Sequence, residues 1–300
     1  MINPFIRRTG RTLARPAALA AITALAALLA ACSTPAPQAA QPTTSAATSA
    51  ATSSAAPVVR SAGVKSLLWV GNSFFYYNNS MHGHVGQLLN AAGQRGHRGT
   101  SATISGSGIN WHDVAAHLRP GGVGSYSFVG DNEVRFNPPG RQFDAVMMMD
   151  CSQCPVHPTL QPIFFEFAKK HSDTVRTHGA EPIFFMSWAY QDKPEMTEQL
   201  AAEYLKAGRQ NNALVVPAGL AFAASVAQRP ALNLYVADKR HPSLAGTYLA
   251  ACTVIASVHR VNPVGNTYTA GLPADVAAHL QAVAWSTAQA FHAQHGRGSL

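Results

Sequence analysis

Two short segments far apart in the chain carry residue types that could do chemistry together. Gly71-Asn72-Ser73-Phe74 directly follows the apolar run Leu67-Leu68-Trp69-Val70, and Asp238-Lys239-Arg240-His241-Pro242-Ser243 directly precedes an Ala/Leu-rich helical stretch. A Ser at the end of a buried strand is presented at the top of a sheet, where a substrate can reach it. Its hydroxyl is a poor nucleophile until a base within hydrogen-bond reach takes the proton, and an Asp-x-x-His segment supplies base and orienting carboxylate together. Taken singly, Ser73 is as well read as a helix N-cap, and Asp238 to Ser243 as a polar loop before a helix. Their coincidence points to Ser-His-Asp hydrolysis.

Elements that could position these residues follow from the apolar pattern. Short apolar runs at Leu67–Val70, Ala145–Met149, Ile183–Ser187 and Ala213–Val216 read as strands, with a further strand ending at Thr103-Ile104. Between and after them, helical patterns cover Met81–Ala92, Ile163–His178, Met196–Ala207, Leu244–Val258 and Ala274–Gln294. Unbroken apolar strands between helices predict a parallel sheet covered on both faces. The fold class expected is therefore α/β, a three-layer α/β/α sandwich around a five-stranded, mostly parallel sheet. Tyr126–Val129 and Glu133–Phe136 flank Gly130-Asp131-Asn132, which predicts a small β-hairpin insertion near 125–137, at the active-site rim. In such sheets ligands bind beyond the carboxyl ends of the strands. Ser73, Ser105-Gly106, Asp150 to Cys154 and Ser187-Trp188 all fall there.

The N-terminus speaks of export. Arg7, Arg8, Arg11 and Arg15 precede an apolar run from Ala17 to Ala31, too short for a comfortable membrane span, so residues 1–31 read as a signal peptide. Leu29-Ala30-Ala31-Cys32 resembles the bacterial lipobox, which implies lipid attachment at Cys32 and membrane association through it. Ser33 after the cysteine fits sorting to the outer membrane of the cell envelope, by resemblance to the bacterial sorting rule. Residues 33–60 are almost entirely Ser, Thr, Ala, Pro and Gln, a composition that cannot bury enough apolar surface to offset ordering, so 32–60 is expected to be a flexible tether. The folded domain is expected over 61–294, with a disordered tail at 295–300.

The formal charge is +8, and the four arginines of residues 1–31, which hold no acid, leave +4 for the rest. That mild balance, without a basic run, argues against nucleic acid as a partner. Export and a two-residue spacing permit a disulfide between Cys151 and Cys154, leaving Cys252 as a buried thiol. A thioredoxin-like role for the pair is disfavoured by Pro155 and by the rest of the chain. His82-x-His84 matches no zinc signature, so these histidines read as surface residues and no metal is expected. Trp188, Tyr190, Tyr76 and Tyr77 could form a platform for a sugar or could belong to the core. Nothing in the sequence speaks to oligomeric state.

The longer stretches around the two segments resemble the SGNH (GDSL-like) hydrolase superfamily, whose first block is Gly-Asp/Asn-Ser and whose last is Asp-x-x-His. Trp69-Val70-Gly71-Asn72-Ser73-Phe74-Phe75-Tyr76-Tyr77-Asn78 is similar to a bacterial subgroup beginning Gly-Asn-Ser-Phe. So is Pro217-Ala218-Gly219-Leu220-Ala221-Phe222, followed by Leu234-Tyr235 and by Asp238 through Cys252. The resemblance implies a flavodoxin-like SGNH fold and a serine ester hydrolase without metal or organic cofactor. It implies Ser73 as nucleophile, His241 as base and Asp238 as its orienter. It further implies an oxyanion hole from the Ser73 and Gly106 N–H groups, with Gly108 as the alternative, and a third donor after strand three. The third block departs from the subgroup's Gln-Glu-Gln-Ser-like segment. Gln153 could supply that donor, Ser152 could substitute, or the hole keeps two. Location favours acetyl or short acyl esters on carbohydrate, with lipid esters next. An acyltransferase with the same residues, or a non-catalytic binding module, would use the same fold.

Overall fold

The computed structural model describes residues 63–296. The expected signal peptide, Cys32, the tether over 32–60 and residues 297–300 lie outside the described residues.

The first strand, β1 (Ser66–Gly71), runs into a single helical turn, α1 (Ser73–Tyr76), and then α2 (Met81–Ala91). β2 (Arg98–Thr103) leads through a turn of 3₁₀ helix at Ile109–Trp111 to α3 (Val114–Leu118). The hairpin β3 (Tyr126–Gly130) and β4 (Glu133–Phe136) comes next, then β5 (Ala145–Met148) and α4 (Gln161–Thr177). β6 (Glu181–Phe185), α5 (Met196–Gln210), β7 (Leu214–Val216) and α6 (Ala218–Gln228) continue the alternation. α7 (Leu244–Val254), extended by a π-helical turn over Ile255–His259, and α8 (Ala274–His295) close the chain.

The five long-range strands form one sheet in the order β2-β1-β5-β6-β7, every neighbouring pair parallel. Strand side chains alternate between two cores. Leu67, Trp69, Met147 and Phe185 face α2, α6, α7 and α8, whereas Leu68, Val70, Met148 and Phe184 face α3, α4 and α5. Both faces are apolar because both are covered, which is why the strands read as unbroken apolar runs. Only β2, at the edge, is half-polar and half-buried along its length. Helix α7 is buried from Ala245 to Val254 and is correspondingly apolar all round. Among the described residues no helix is long and apolar enough to cross a membrane.

The hairpin forms as expected around Asn132, which takes the left-handed conformation at φ 58°. Its expected position at the active-site rim is not what the structure shows. Asn137 bonds back to Ser125 and Gly124, and Arg98, the first residue of β2, donates to the carbonyls of Gly124 and Gln142. The hairpin base is therefore fastened at the amino edge of the sheet, opposite the edge that carries Ser73. The reason is topological. A segment that immediately precedes a parallel strand must enter the sheet from its amino end, and this one precedes β5.

Candidate active site

Ser73 begins α1 directly beyond β1 and is buried. Asn72 caps that turn by accepting from the Phe74 N–H at 3.2 Å, and its own amide donates to the carbonyls of Ser107 (3.0 Å) and Asp150 (3.2 Å). One side chain thus ties together the loops that follow β1, β2 and β5. Gly71 is required beneath it, since a Cβ there would press on the Phe75 ring at 2.8 Å.

The Ser73 Oγ lies 2.7 Å from His241 Nε2, and His241 Nδ1 bonds to the second carboxylate oxygen of Asp238. Asp238 also accepts from the N–H groups of Arg240 and His241, each at 2.9 Å. A slight burial works to raise the Asp238 pKa, but the bonds from the His241 ring and the two backbone N–H groups prevail and lower it to about 2. An ionised Asp238 can only accept, so Nδ1 carries a proton and Nε2 is left with its lone pair toward Ser73.

The loop from Leu234 to Ser243 holds this arrangement. Val236 N–H bonds to the His241 carbonyl, Ser243 N–H to the Leu234 carbonyl, and Lys239 turns the chain at φ 65°. Trp188 Nε1 donates to the Arg240 carbonyl at 2.9 Å, and Asn78 donates to the Pro242 carbonyl at 2.9 Å. At the loop's end Ser243 caps α7. Gly246 is compelled there, because any Cβ would run into the Leu234 carbonyl oxygen. The imidazole is also held by rings: Phe74 meets its edge, and Tyr77 lies against its face. Behind them Phe74, Trp188 and Phe222 stack in a column, with centroids 4.7 and 4.1 Å apart.

Gly106 sits in the loop after β2 at φ 69° and is exposed. Neither its N–H nor that of Ser73 donates to any other group among the described residues. Two free N–H groups on adjacent loops are what an oxyanion site needs. Gly108, the alternative, is buried against Asn110 and Asp150. The third-block loop is clamped by a Cys151–Cys154 disulfide. In it Ser152 Oγ is engaged with Tyr190 at 2.7 Å, while Gln153 is exposed and caps nothing. Cys252 is a buried free thiol whose pKa burial pushes up.

Several residues take a place that the sequence alone did not give them. Asp150 is buried at the end of β5, and its Oδ1 accepts from the N–H groups of Ile109 and Cys151, each at 2.7 Å. Burial raises its pKa to about 6, against the lowering effect of those two bonds. Its position directly after an apolar strand was the available signal. Trp188 and Tyr190 are buried, so they belong to the core rather than to an open platform; Tyr76 and Tyr77 are half-buried. His84 is likewise buried rather than on the surface, bonded to Asn78 and Tyr268.

No protein-family model matches the sequence, and no curated protein matches it. Among solved structures, a DUF4886 family protein from Bacteroides uniformis is similar with a TM-score of 0.52 at 15% identity, over 78% of this chain and 96% of that one. A protein from Slackia heliotrinireducens described as an SGNH hydrolase gives 0.48 at 20% identity, over 65% and 99%. The shared architecture is an α/β/α sandwich around a five-stranded parallel sheet. An acetylxylan esterase from Geobacillus stearothermophilus, in a catalytic-mutant form, gives 0.42 at 16% identity, over 66% and 94%. At these identities the likeness is one of fold alone, and the chemistry rests on the side chains just described.

Proposed function

We propose that this chain is a serine ester hydrolase acting on acetyl or short acyl esters of carbohydrate. The observation that carries the reading is the 2.7 Å contact of Ser73 Oγ with His241 Nε2, backed by the Asp238 bond to Nδ1. Ser73 Oγ attacks the ester carbonyl carbon as His241 Nε2 takes its proton. The oxyanion that forms is met by the N–H groups of Ser73 and Gly106, with the Gln153 amide as third donor. Collapse breaks the ester C–O bond, and the leaving alkoxide takes the proton from His241. Water, deprotonated by the same imidazole, then attacks the acyl-enzyme and releases the carboxylate. Each proton is accounted for by His241, so the reaction needs neither a metal nor an organic cofactor.

The N-terminal pattern supports an exported protein anchored to the envelope through a lipid on Cys32, where polysaccharide esters are accessible substrates. A fluorophosphonate probe should label the folded wild-type protein at Ser73 and leave Ser73→Ala unlabelled. Failure to label folded wild type overturns the mechanism. A series of acyl-chain lengths on the purified protein should show turnover falling beyond short chains.

A further inference from the structure

We propose that the groove beside His241, between the turn that follows Tyr77 and the segment over residues 267–271, binds the sugar portion of a neutral carbohydrate ester. This rests on the esterase reading and adds the place where the alcohol side of the substrate is held.

The groove has a volume of about 730 Å³ and is lined by Asn78, Asn79, His84, Thr267, Tyr268 and Thr269, among others. That is large enough for a ligand of several rings. It neighbours the loop that carries His241. Tyr77 covers the His241 ring, the next residue Asn78 donates to the Pro242 carbonyl, and Leu244 forms part of the wall.

Its chemistry is selective. No Lys, Arg, Asp or Glu lines it, so a phosphate or carboxylate would meet no countercharge. A long acyl chain would bury amide and hydroxyl groups without partners, at a cost of roughly 1–3 kcal/mol each. Neutral hydroxyls satisfy both demands. The side chains of Asn79, Thr267 and Thr269 have no hydrogen-bond partner among the described residues, and so remain available to a ligand. A second cavity of about 740 Å³, between Tyr190, Glu195, Glu198, Phe222 and Tyr235, is a poorer fit. It carries two acids, and neither Ser73 nor His241 lines it.

The groove is also built in advance. A carbonyl only accepts, so His84 Nε2–H donates to the Asn78 carbonyl at 2.7 Å, and Nδ1 is paired with the Tyr268 hydroxyl at 2.8 Å. On the far wall Tyr248 donates to the Tyr268 carbonyl, Gln281 to the Asn266 carbonyl, and Asn266 to the Leu88 carbonyl. Directly after Tyr77, and running into the groove wall, three consecutive residues hold a positive φ, none of them glycine: Asn78 (53°), Asn79 (67°) and Ser80 (68°). Such strain persists where surrounding contacts over-determine it, and it gathers at ligand sites.

The test uses the full-length protein and two readouts. Saturation-transfer NMR with unacetylated xylotetraose, mannotetraose and cellotetraose reads binding directly. Kinetics on the O-acetylated tetraoses and on p-nitrophenyl acetate give a ratio of kcat/KM values. At least one tetraose should bind, and Asn79→Ala, Thr267→Val and Thr269→Val should each weaken it. Each variant should lower that ratio by about three- to tenfold, through KM, as the loss of one hydrogen bond implies. No binding by any tetraose, or equal losses on both substrates, overturns the proposal. The two readings fail separately. A protein that binds a tetraose but cleaves neither ester refutes the esterase and supports the groove. One that cleaves p-nitrophenyl acetate without binding a tetraose does the reverse.

Discussion

The imidazole of His241 lies against the phenol ring of Tyr77, centroids 4.2 Å apart and 11° from parallel. The contact fixes the plane of the base, and an aromatic face stabilises the imidazolium that forms during turnover. Tyr77→Ala should therefore lower kcat on p-nitrophenyl acetate by about three- to tenfold, the rate equivalent of one aromatic contact. Tyr77→Phe should retain most of it. An equal loss in the Phe variant would transfer the role to the hydroxyl.

Ser73→Ala and His241→Ala should each remove nearly all ester hydrolysis, by about 10³–10⁶-fold, as members of a coupled unit do. Asp238→Asn should keep more activity, because backbone bonds and ring contacts also hold His241. Turnover that survives Ser73→Ala in folded protein would move the nucleophile elsewhere.

Two carboxylates should give stability opposite pH dependences. Asp238, held at about 2 against an ordinary 3.8, favours the folded state above pH 3.8, and that contribution fades as pH falls toward 2. Asp150, raised to about 6, binds protons more readily folded than unfolded, so its stability cost is fully present above pH 6 and disappears as pH falls toward 3.8. Asp150→Asn keeps the acceptor oxygen and removes the charge. Its unfolding free energy relative to wild type should be higher at pH 7.5 than at pH 4.5, by an amount on the order of 3 kcal/mol at most. A difference independent of pH would show that Asp150 is not carrying a buried charge.

Gln153→Ala should lower kcat with little change in KM, by about 10²-fold if the amide completes the oxyanion hole. Reduction of the Cys151–Cys154 bridge should lower turnover in the same direction while barely moving the melting temperature, since so short a loop gains little chain entropy. Full activity in Gln153→Ala would leave the hole to Ser73 and Gly106.

Gly246→Ala should destabilise the protein by about 1–3 kcal/mol, the usual cost of overpacking, because its Cβ would displace the Leu234 carbonyl. That carbonyl accepts from Ser243 N–H at the foot of the His241 loop, so activity should fall further than stability alone explains. Thermal melts and assays on the same sample separate the two effects.

The strands were legible because burial on both faces leaves an unbroken apolar signature, and α7 because a fully buried helix does the same. Helix α6 was not: Ala218–Gln228 is apolar without a polar stripe, and only packing against α5, α7 and α8 reveals it. The hairpin's strands were readable from its turn, but its place depends on where Arg98 anchors the chain. Ser73 and the Asp238–His241 segment stood out by residue type. The contacts made by Tyr77, Asn78 and Asn72 did not, because their partners His241, Pro242, Ser107 and Asp150 come from distant parts of the chain.

β5 pairs with β1 from Leu67↔Ala145 to Val70↔Met148, and with β6 from Ala145↔Glu181 to Met148↔Phe184. Gln153 lies beyond the last of these pairs, past Asp150 and inside the bridged turn. No rung of the sheet depends on the side chain it carries. Genetic drift can therefore exchange that residue without first loosening the scaffold, and selection on rate can act on this loop while selection on folding acts on the strands beneath it.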